Sequence, residues 1–357
     1  MIYYNNTMCY VPNTQITTNF GIKEIKNINY SDLILTKEGY KPINAIIEKN
    51  INEKIYSISS QLSLSPLKIT EEHPILVKKC SSKTKISLLN INKMEFIKAK
   101  NIKEGYFVKT KIDNTIIYNN NISNNFARLL GYYIGDGNLS IKYSKNKNIK
   151  SIQFRLTYHR TDKKDIVEDI KNIIEIEYPG TNYNIYETKN SNTNIISFYN
   201  TNLGKKILNL CGGPKNKTCK EILYLDLQKQ IEFLKGWHKT DGCGNWLETS
   251  KIFTAEINLA KELIFILQRN KLTYRIQYRK PNYVIINEKK YYSKGGWNIN
   301  FNKQKPNDHL YYINDEIFSR IKDIKQEEYN GTVFNLKINE CHKYIANNII
   351  IHDYITR

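Results

Sequence analysis

The sequence predicts a two-domain chain, with β-rich segments toward both ends and, between them, an α+β region of two similar halves with paired helices. Three observations lead there. A nine-residue pattern occurs twice in the middle of the chain, each time closing a helix-like stretch with Asp-Gly. The segments on either side of that middle read as short alternating strands with no helical apolar period. At 357 residues, the chain is also longer than one ordinary hydrophobic core serves.

Composition limits the partners. Fifty-four Lys and Arg against 34 Asp and Glu leave a net charge of +20, which calls for a polyanion. Nucleic acid is the expected one. No apolar run approaches the ~20 residues that span a bilayer, and residues 1–8 lack the charged and apolar regions of a signal peptide. The expectation is a soluble, intracellular monomer with no membrane partner. The six cysteines, Cys9, Cys80, Cys211, Cys219, Cys243 and Cys341, form no Cys-x-x-Cys pair. Neither a zinc site nor a disulfide framework is indicated.

From Cys9 to Lys111 the reading is β-rich, with alternating runs at 25–34, 54–58 and 75–79 between turn residues. Within it stand Cys9, Thr14, Gly21 and the run Thr70-Glu71-Glu72-His73-Pro74. Residues 333–353 read as two strands, with His342 between them and His352-Asp353 closing the second. Taken singly these are ordinary: a lone cysteine is a small core residue, and Thr-x-x-His is a turn.

The middle carries the repeat. Its copies are Leu129-Leu130-Gly131-Tyr132-Tyr133-Ile134-Gly135-Asp136-Gly137 and Leu234-Lys235-Gly236-Trp237-His238-Lys239-Thr240-Asp241-Gly242. Small residues four apart lie on one helix face and let two backbones approach, so the two helices are expected to pack on each other. Gly137 and Gly242 then sit where each helix stops. That geometry brings Asp136 and Asp241 together at two electronegative helix ends, where carboxylates are repelled unless a divalent cation lies between them. For either copy alone, a helix-ending turn is the better explanation of the Asp-Gly, and the pairing of the two copies is what points to a shared site.

Each signature is followed by strands and a helix. A strand at 151–159 precedes a helix at 162–175, with Ile166, Val167, Ile170, Ile173 and Ile174 on one face. A helix at 259–269 places Leu259, Leu263, Ile266 and Leu267 inward, and strands follow at 274–280 and 297–303. In these strands Ile152, Phe154, Leu156 and Tyr158, then Tyr274, Ile276 and Tyr278, then Trp297, Ile299 and Phe301 alternate toward a core. The opposite faces carry Gln153 and Arg155, Arg275, Gln277 and Arg279, and Asn298 and Asn300. A solvated sheet has one polar face in any case. These faces, however, are rich in the side chains that pair bidentately with base edges, and Lys163, Lys164, Lys280 and Lys289 stand near for phosphate.

The repeated pattern resembles the signature of the LAGLIDADG homing endonucleases, with Trp237, His238 and Lys239 departing from it in the second copy. Cys9-x4-Thr14, Gly21, Thr70-x-x-His73-Pro74, Val333-Phe334-Asn335-Leu336, His342-Lys343-Tyr344-Ile345-Ala346-Asn347 and Ile350-Ile351-His352 resemble, in that order, the splicing blocks of an intein. The two resemblances imply an all-β, horseshoe-like Hedgehog/intein (Hint) domain from residues 9–112 and 312–353, with an endonuclease at 120–308. Residues 1–8 and 354–357 are then flanks contributed by a host protein.

The chemistry so implied is twofold. Cys9 attacks the Met8 carbonyl to form a thioester, His73 protonates the departing nitrogen, and Thr70 holds the scissile peptide. His342 and His352 assist attack by the side chain of Asp353 on its own carbonyl. Asp136 and Asp241 hold Mg2+ for cleavage of double-stranded DNA. Lys220 stands in place of the lysine of the family's Lys-x-Ile-Pro block, with Leu223 where the proline belongs. The second-half lysine is left open between Lys280 and Lys303.

Two residues depart from the splicing pattern. Asp353 stands where the family has Asn, and Tyr354 where it has Cys, Ser or Thr. A carboxylate replaces a carboxamide poorly in that cyclisation, so N-terminal cleavage is expected to survive while ligation is slow or lost. Three readings remain open on sequence: a bifunctional intein-type protein, a free-standing or domesticated endonuclease with a relic Hint domain, and a non-catalytic DNA-binding protein.

Overall fold

The computed structural model of the chain describes residues 8–81, 93–113, 121–188, 191–286, 289–303 and 310–353. The chain divides into two compact units, Met1–Thr115 with Gln304–Arg357, and Ile116–Lys303. Residues 1–7 and 354–357, Tyr354 among them, lie outside the described residues. No described helix is long and apolar enough to cross a membrane.

The first unit is strand-rich, with no α-helix among its described residues. Among the described residues ten strands of its thirteen-stranded sheet run from Leu310–Ile313 through Glu316–Arg320, Phe107–Lys111, Pro74–Lys78, Ile349–His352, Lys343–Ala346, Gln15–Thr18, Leu33–Thr36 and Gly39–Ser59 to Asp323–Ile338, while Gly21–Glu24, Leu67–Thr70 and Glu95–Lys98 pair off this path. Chain ends meet because the 21-residue strand Gly39–Ser59 pairs antiparallel with Asp323–Ile338, from Asp323 opposite Ser59 to Ile338 opposite Ile43. Tyr10 then exchanges both backbone bonds with Phe334, at 2.7 and 2.8 Å. Such a pair locks the first residues of the unit against its last third.

Sequence reading misses details here. The run at 25–34 is a 3-10 turn, Ile25–Asn27, followed by a strand only at Leu33–Thr36. Asn29 and Asp32 divert the backbone: Asp32 Oδ2 accepts the Asn29 N–H at 3.0 Å. The closing segment forms three strands, not two, because Asn347 and Asn348 take up positive φ and turn Lys343–Ala346 into Ile349–His352.

In the second unit the helices are α1 (Asn124–Ile134), α2 (Lys164–Glu177), α3 (Thr201–Cys211), α4 (Leu227–Asp241) and α5 (Ile257–Arg269). Helix α1 starts at Ser123, whose hydroxyl accepts the Phe126 N–H at 2.9 Å, and α4 at Asp226, which accepts from Lys229 at 3.0 Å. The two signature helices cross at their glycines. A Cβ on Gly131 would overlap the Phe233 carbonyl oxygen and approach Trp237 N to 2.7 Å, and one on Gly236 would overlap the Arg128 carbonyl. No rotamer relieves a clash with backbone, so these positions require glycine. Arg128 fastens the crossing from the side, donating to Asp169 on α2 at 2.8 and 2.9 Å and to Glu232 on α4 at 2.5 Å.

Each half adds a four-stranded antiparallel sheet, one ordered Tyr183–Glu187, Thr193–Phe198, Ile149–His159, Gly137–Tyr143, the other Gly242–Cys243, Ser250–Thr254, Gly296–Asn302, Thr273–Arg279. Ile152, Phe154, Leu156, Tyr274, Ile299 and Phe301 are buried as the alternation requires. Tyr278 is not: it is 52% exposed and leans on Trp297 near the open end of its strand, with ring centroids 5.3 Å apart. An additional hairpin, Asn282–Ile286 with Lys289–Ser293, lies between the strands expected at 274–280 and 297–303.

Candidate functional site

In the first unit the candidate residues gather at the Met8–Cys9 peptide. Cys9, Thr70 and His73 are fully buried. The Cys9 N–H donates to Thr70 Oγ1 at 3.0 Å, and the Thr70 N–H donates to the Cys9 carbonyl at 3.1 Å, so Thr70 grips the peptide that cysteine attack would break. The turn that holds Thr70 also fixes His73, whose N–H donates to the Thr70 carbonyl at 3.2 Å. The His73 ring uses Nε2 toward the Tyr10 hydroxyl and, at 3.1 Å, the His352 carbonyl. The ring also feels the Met8 carbonyl. No described hydrogen bond joins His73 to the Cys9 nitrogen it was expected to protonate.

Burial sets the protonation states. It pushes the Cys9 thiol up to about 12, with Lys49 opposing and Glu53 adding to the rise. It drives His73 down to about 3, so the ring is neutral at neutral pH. A neutral imidazole accepts a proton; it cannot begin as the proton donor.

The Met8 carbonyl has a donor that the sequence reading did not single out. Asn335 Nδ2 donates to it, while Asn335 Oδ1 accepts from the Leu336 N–H and the Tyr344 hydroxyl, each at 2.7 Å. The run Val333-Phe334-Asn335-Leu336 was in view only as a sequence block. What could have marked Asn335 is a carboxamide in an otherwise apolar stretch.

At the other chain end Asp353 is fully buried, its Oδ1 3.3 Å from His352 Nδ1 and 3.4 Å from His342 Nδ1. His342 and His352 stack with centroids 5.9 Å apart, and His352 Nδ1 also reaches the Asp353 carbonyl oxygen at 3.0 Å. The His352 ring is held above its usual pKa chiefly by its hydrogen bond to Asp353. The three predicted C-terminal residues therefore do share one site.

In the second unit the acids stand at the ends of α1 and α4. Asp136 follows α1, whose last turn is closed by Gly135, and Asp241 is the final residue of α4. Gly137 does not terminate a helix as expected but opens a strand. Neither Gly137 nor Gly242 has a positive φ, and both are needed for space: a Cβ there would overlap Tyr133 Cα or the His238 carbonyl oxygen. Asp241 is pushed up to about 6 by burial and then by the negative charge of Asp136. Two carboxylates facing one point repel, as the repeat predicted.

Two lysines meet that charge. Lys163 lies 2.5 Å from Asp136 Oδ2 and donates to the Thr240 carbonyl of α4 at 2.7 Å. Lys217 donates to the carbonyls of Tyr133, Ile134 and Gly135 at 2.7, 2.9 and 3.2 Å, capping the end of α1. Burial brings Lys217 down to about 8 while Asp241 and Asp136 oppose the fall.

Lys217, not Lys220, occupies this centre. Lys220 is exposed at the start of a 3-10 turn, Lys220–Tyr224. The three-residue displacement has a local cause: Gly212, at φ 70, ends α3, its carbonyl accepts the Tyr133 hydroxyl at 2.7 Å, and the Thr218 N–H returns to the Cys211 carbonyl at 2.9 Å. The loop between them is thereby laid along the end of α1. The Gly212-Gly213-Pro214 turn was the available signal. Lys163, expected at phosphate, is drawn into the acidic centre, whereas Lys164 is exposed; Lys289 lies outside the described side chains.

The candidate base-reading residues form two rows. Arg275 faces Asn300 across the sheet and Gln277 faces Asn298, with Arg279 at the end of the same row. Arg275, Gln277, Arg279, Lys280 and Asn300 are exposed, and Asn298 is half-buried. In the other half, Arg155 and Gln153 are half-buried and hydrogen-bonded to each other at 2.8 Å.

Among the described residues no group of three or more His, Cys, Asp or Glu could hold a metal ion. The acidic centre instead offers two carboxylates, a hard oxygen donor set of the kind Mg2+ takes together with water and substrate phosphate.

No protein-family model matches the chain. It is 23% identical over 418 aligned residues to an uncharacterized protein of Methanocaldococcus jannaschii, MJ0043, covering 98% of this chain and 50% of that protein. The chain thus spans about half the length of that relative. Among solved structures it is similar to I-DmoI in complex with DNA and Ca, at 17% identity and a TM-score of 0.37, covering 50% of this chain and 82% of that one. It is also similar to the gp41-1 intein, at 22% identity and a TM-score of 0.22, covering 29% of this chain and 70% of that one.

Proposed function

We propose that this chain is an intein-type bifunctional protein, a Hint self-processing domain interrupted by a metal-dependent, site-specific double-strand DNA endonuclease of the LAGLIDADG kind. The observation that carries the nuclease half is the convergence of Asp136, Asp241, Lys163 and Lys217 on the ends of two helices crossing at glycine. Asp136 and Asp241 would hold Mg2+, which would supply Lewis-acid activation of water and charge neutralisation at the leaving oxygen. Lys163 and Lys217 place positive charge beside the scissile phosphate, and both are held by helix-end carbonyls. The rows around Arg275 and Arg155 meet base edges, and the net charge of +20 supplies phosphate affinity.

The self-processing half rests on the grip of Thr70 on the Met8–Cys9 peptide. Cys9, its proton lost to solvent, is the nucleophile in the slow attack, Thr70 orients the amide, and His73 passes a proton to the departing nitrogen in the faster collapse. At the far end His342 and His352 act on the Asp353 carbonyl. The flanks come from a host protein. A second reading, a domesticated endonuclease with a relic Hint domain, is favoured by one observation: Asp353, with no carboxamide nitrogen, occupies the buried position between the two histidines.

Two measurements test the proposal. The intact mass of freshly purified protein is compared with and without dithiothreitol, beside Cys9→Ala. Thiol-dependent loss of residues 1–8 from the parent alone is expected, and an unchanged mass leaves the relic reading. Cleavage of a plasmid library in Mg2+ is expected to fall by about 10³-fold or more in Asp136→Asn, with DNA retention kept. Persistent cutting by that variant would remove the nuclease assignment.

A further inference from the structure

We propose that Asn335 is the oxyanion-stabilising residue of the Met8–Cys9 rearrangement, an inference that rests on the self-processing reading above. Asn335 is fully buried on the strand Asp323–Ile338. Its amide orientation follows from its neighbours. A backbone N–H can only donate, so the oxygen must face Leu336, 2.7 Å away, and the Tyr344 hydroxyl satisfies the same oxygen. Nδ2 is left facing the Met8 carbonyl oxygen, to which it donates.

The donor is held to its target by the sheet. Phe334, the residue before Asn335, and Tyr10, the residue after Cys9, exchange both backbone hydrogen bonds. Side chain and scissile carbonyl therefore belong to one antiparallel pairing, and little reorganisation is needed when charge develops.

The step balances as follows. The Cys9 thiol gives up its proton to solvent, and its sulfur adds to the Met8 carbonyl carbon. The carbon–oxygen π pair moves onto oxygen, which already accepts from Asn335. Collapse of that intermediate restores the carbonyl, breaks the bond to the Cys9 nitrogen, and delivers a proton to that nitrogen. The products are a Met8 thioester on Cys9 and a free amine. In the resting amide Asn335 meets a neutral carbonyl, and the contact strengthens as negative charge grows there.

Asn335→Asp keeps an oxygen for Leu336 N–H and Tyr344 but replaces the donating nitrogen by an acceptor; Asn335→Ala removes both functions. Thiol-induced release of residues 1–8 is timed by intact mass well below each variant's melting midpoint, and the break after Asp353 is timed in the same samples. A loss on the order of 10²-fold at Met8–Cys9 is expected in both variants, with the break after Asp353 at its parent rate. Either variant releasing the N-terminal segment at the parent rate would overturn the assignment, as would an equal slowing of both breaks, which marks a merely structural role. If the parent itself releases nothing, the self-processing reading fails and the assignment falls with it.

Discussion

The acidic centre of the unit Ile116–Lys303 and the Met8–Cys9 site of the other unit solve opposite electrostatic problems. Around Cys9, burial suppresses charge, with the thiol pushed up to about 12 and His73 down to about 3. Around Asp136 the fold gathers charge. Asp241 rises only to about 6 and Lys217 falls only to about 8, because each burial effect is opposed by a charge of the other sign. On the proposed reading, a peptide-bond rearrangement must keep water from its thioester, and a dry pocket does so at the expense of thiolate. Phosphodiester hydrolysis needs water, metal and phosphate in one place, and so needs concentrated charge.

The comparison is most sharply tested by pH. A thiol with its pKa raised to about 12 is protonated throughout the working range, so thiolate, and with it release of residues 1–8, rises tenfold per pH unit. Between pH 6 and 9 that amounts to a rise of about 1,000-fold at saturating trapping thiol. His73, already neutral, adds no inflection near its ordinary value. A flat profile would mean that the site is not neutral as described.

The next effect separates two lysines three residues apart. Lys217→Met is expected to lower DNA cleavage on the order of 10²-fold, as loss of a buried charge beside the reacting phosphate does. Lys220→Met should remain within about twofold, since a solvated lysine contributes little. Equal losses in single-turnover assays would return the role to Lys220 or to neither.

The smallest effect concerns the scaffold. Gly131→Ala sets a Cβ against the Phe233 carbonyl and Trp237 nitrogen. The unit Ile116–Lys303 is expected to lose about 1–3 kcal/mol, read as a drop of several degrees in its melting midpoint. An unchanged melt would show that the helices have room to part.

Legibility in the sequence followed periodicity. The glycine pairs, the buried face of α2 and the strand at Ile149–His159 were readable because period and burial agree there. Terminal features were less so. The run at 25–34 looked like one strand, but local Asn29–Asp32 hydrogen bonding made a turn of it. Tyr278 continued an apolar alternation that the sheet does not cover. Lys220 was picked on its place in a motif, and a loop folded back on Tyr133 gave the position to Lys217.

By itself, the sequence determined which groups are present: a cysteine at position 9, two acids each at the end of a helix, basic and amide-rich strand faces, and an aspartate at 353. Those follow from side-chain chemistry and from the two periods of local structure. Tertiary structure alone decided that Asn335, more than 300 positions along the chain, donates to the Met8 carbonyl, that Lys217 caps α1, and that Cys9 and His73 are neutral. Such facts depend on which distant segments share a sheet or a helix end, and on how much water remains there. A linear pattern holds neither.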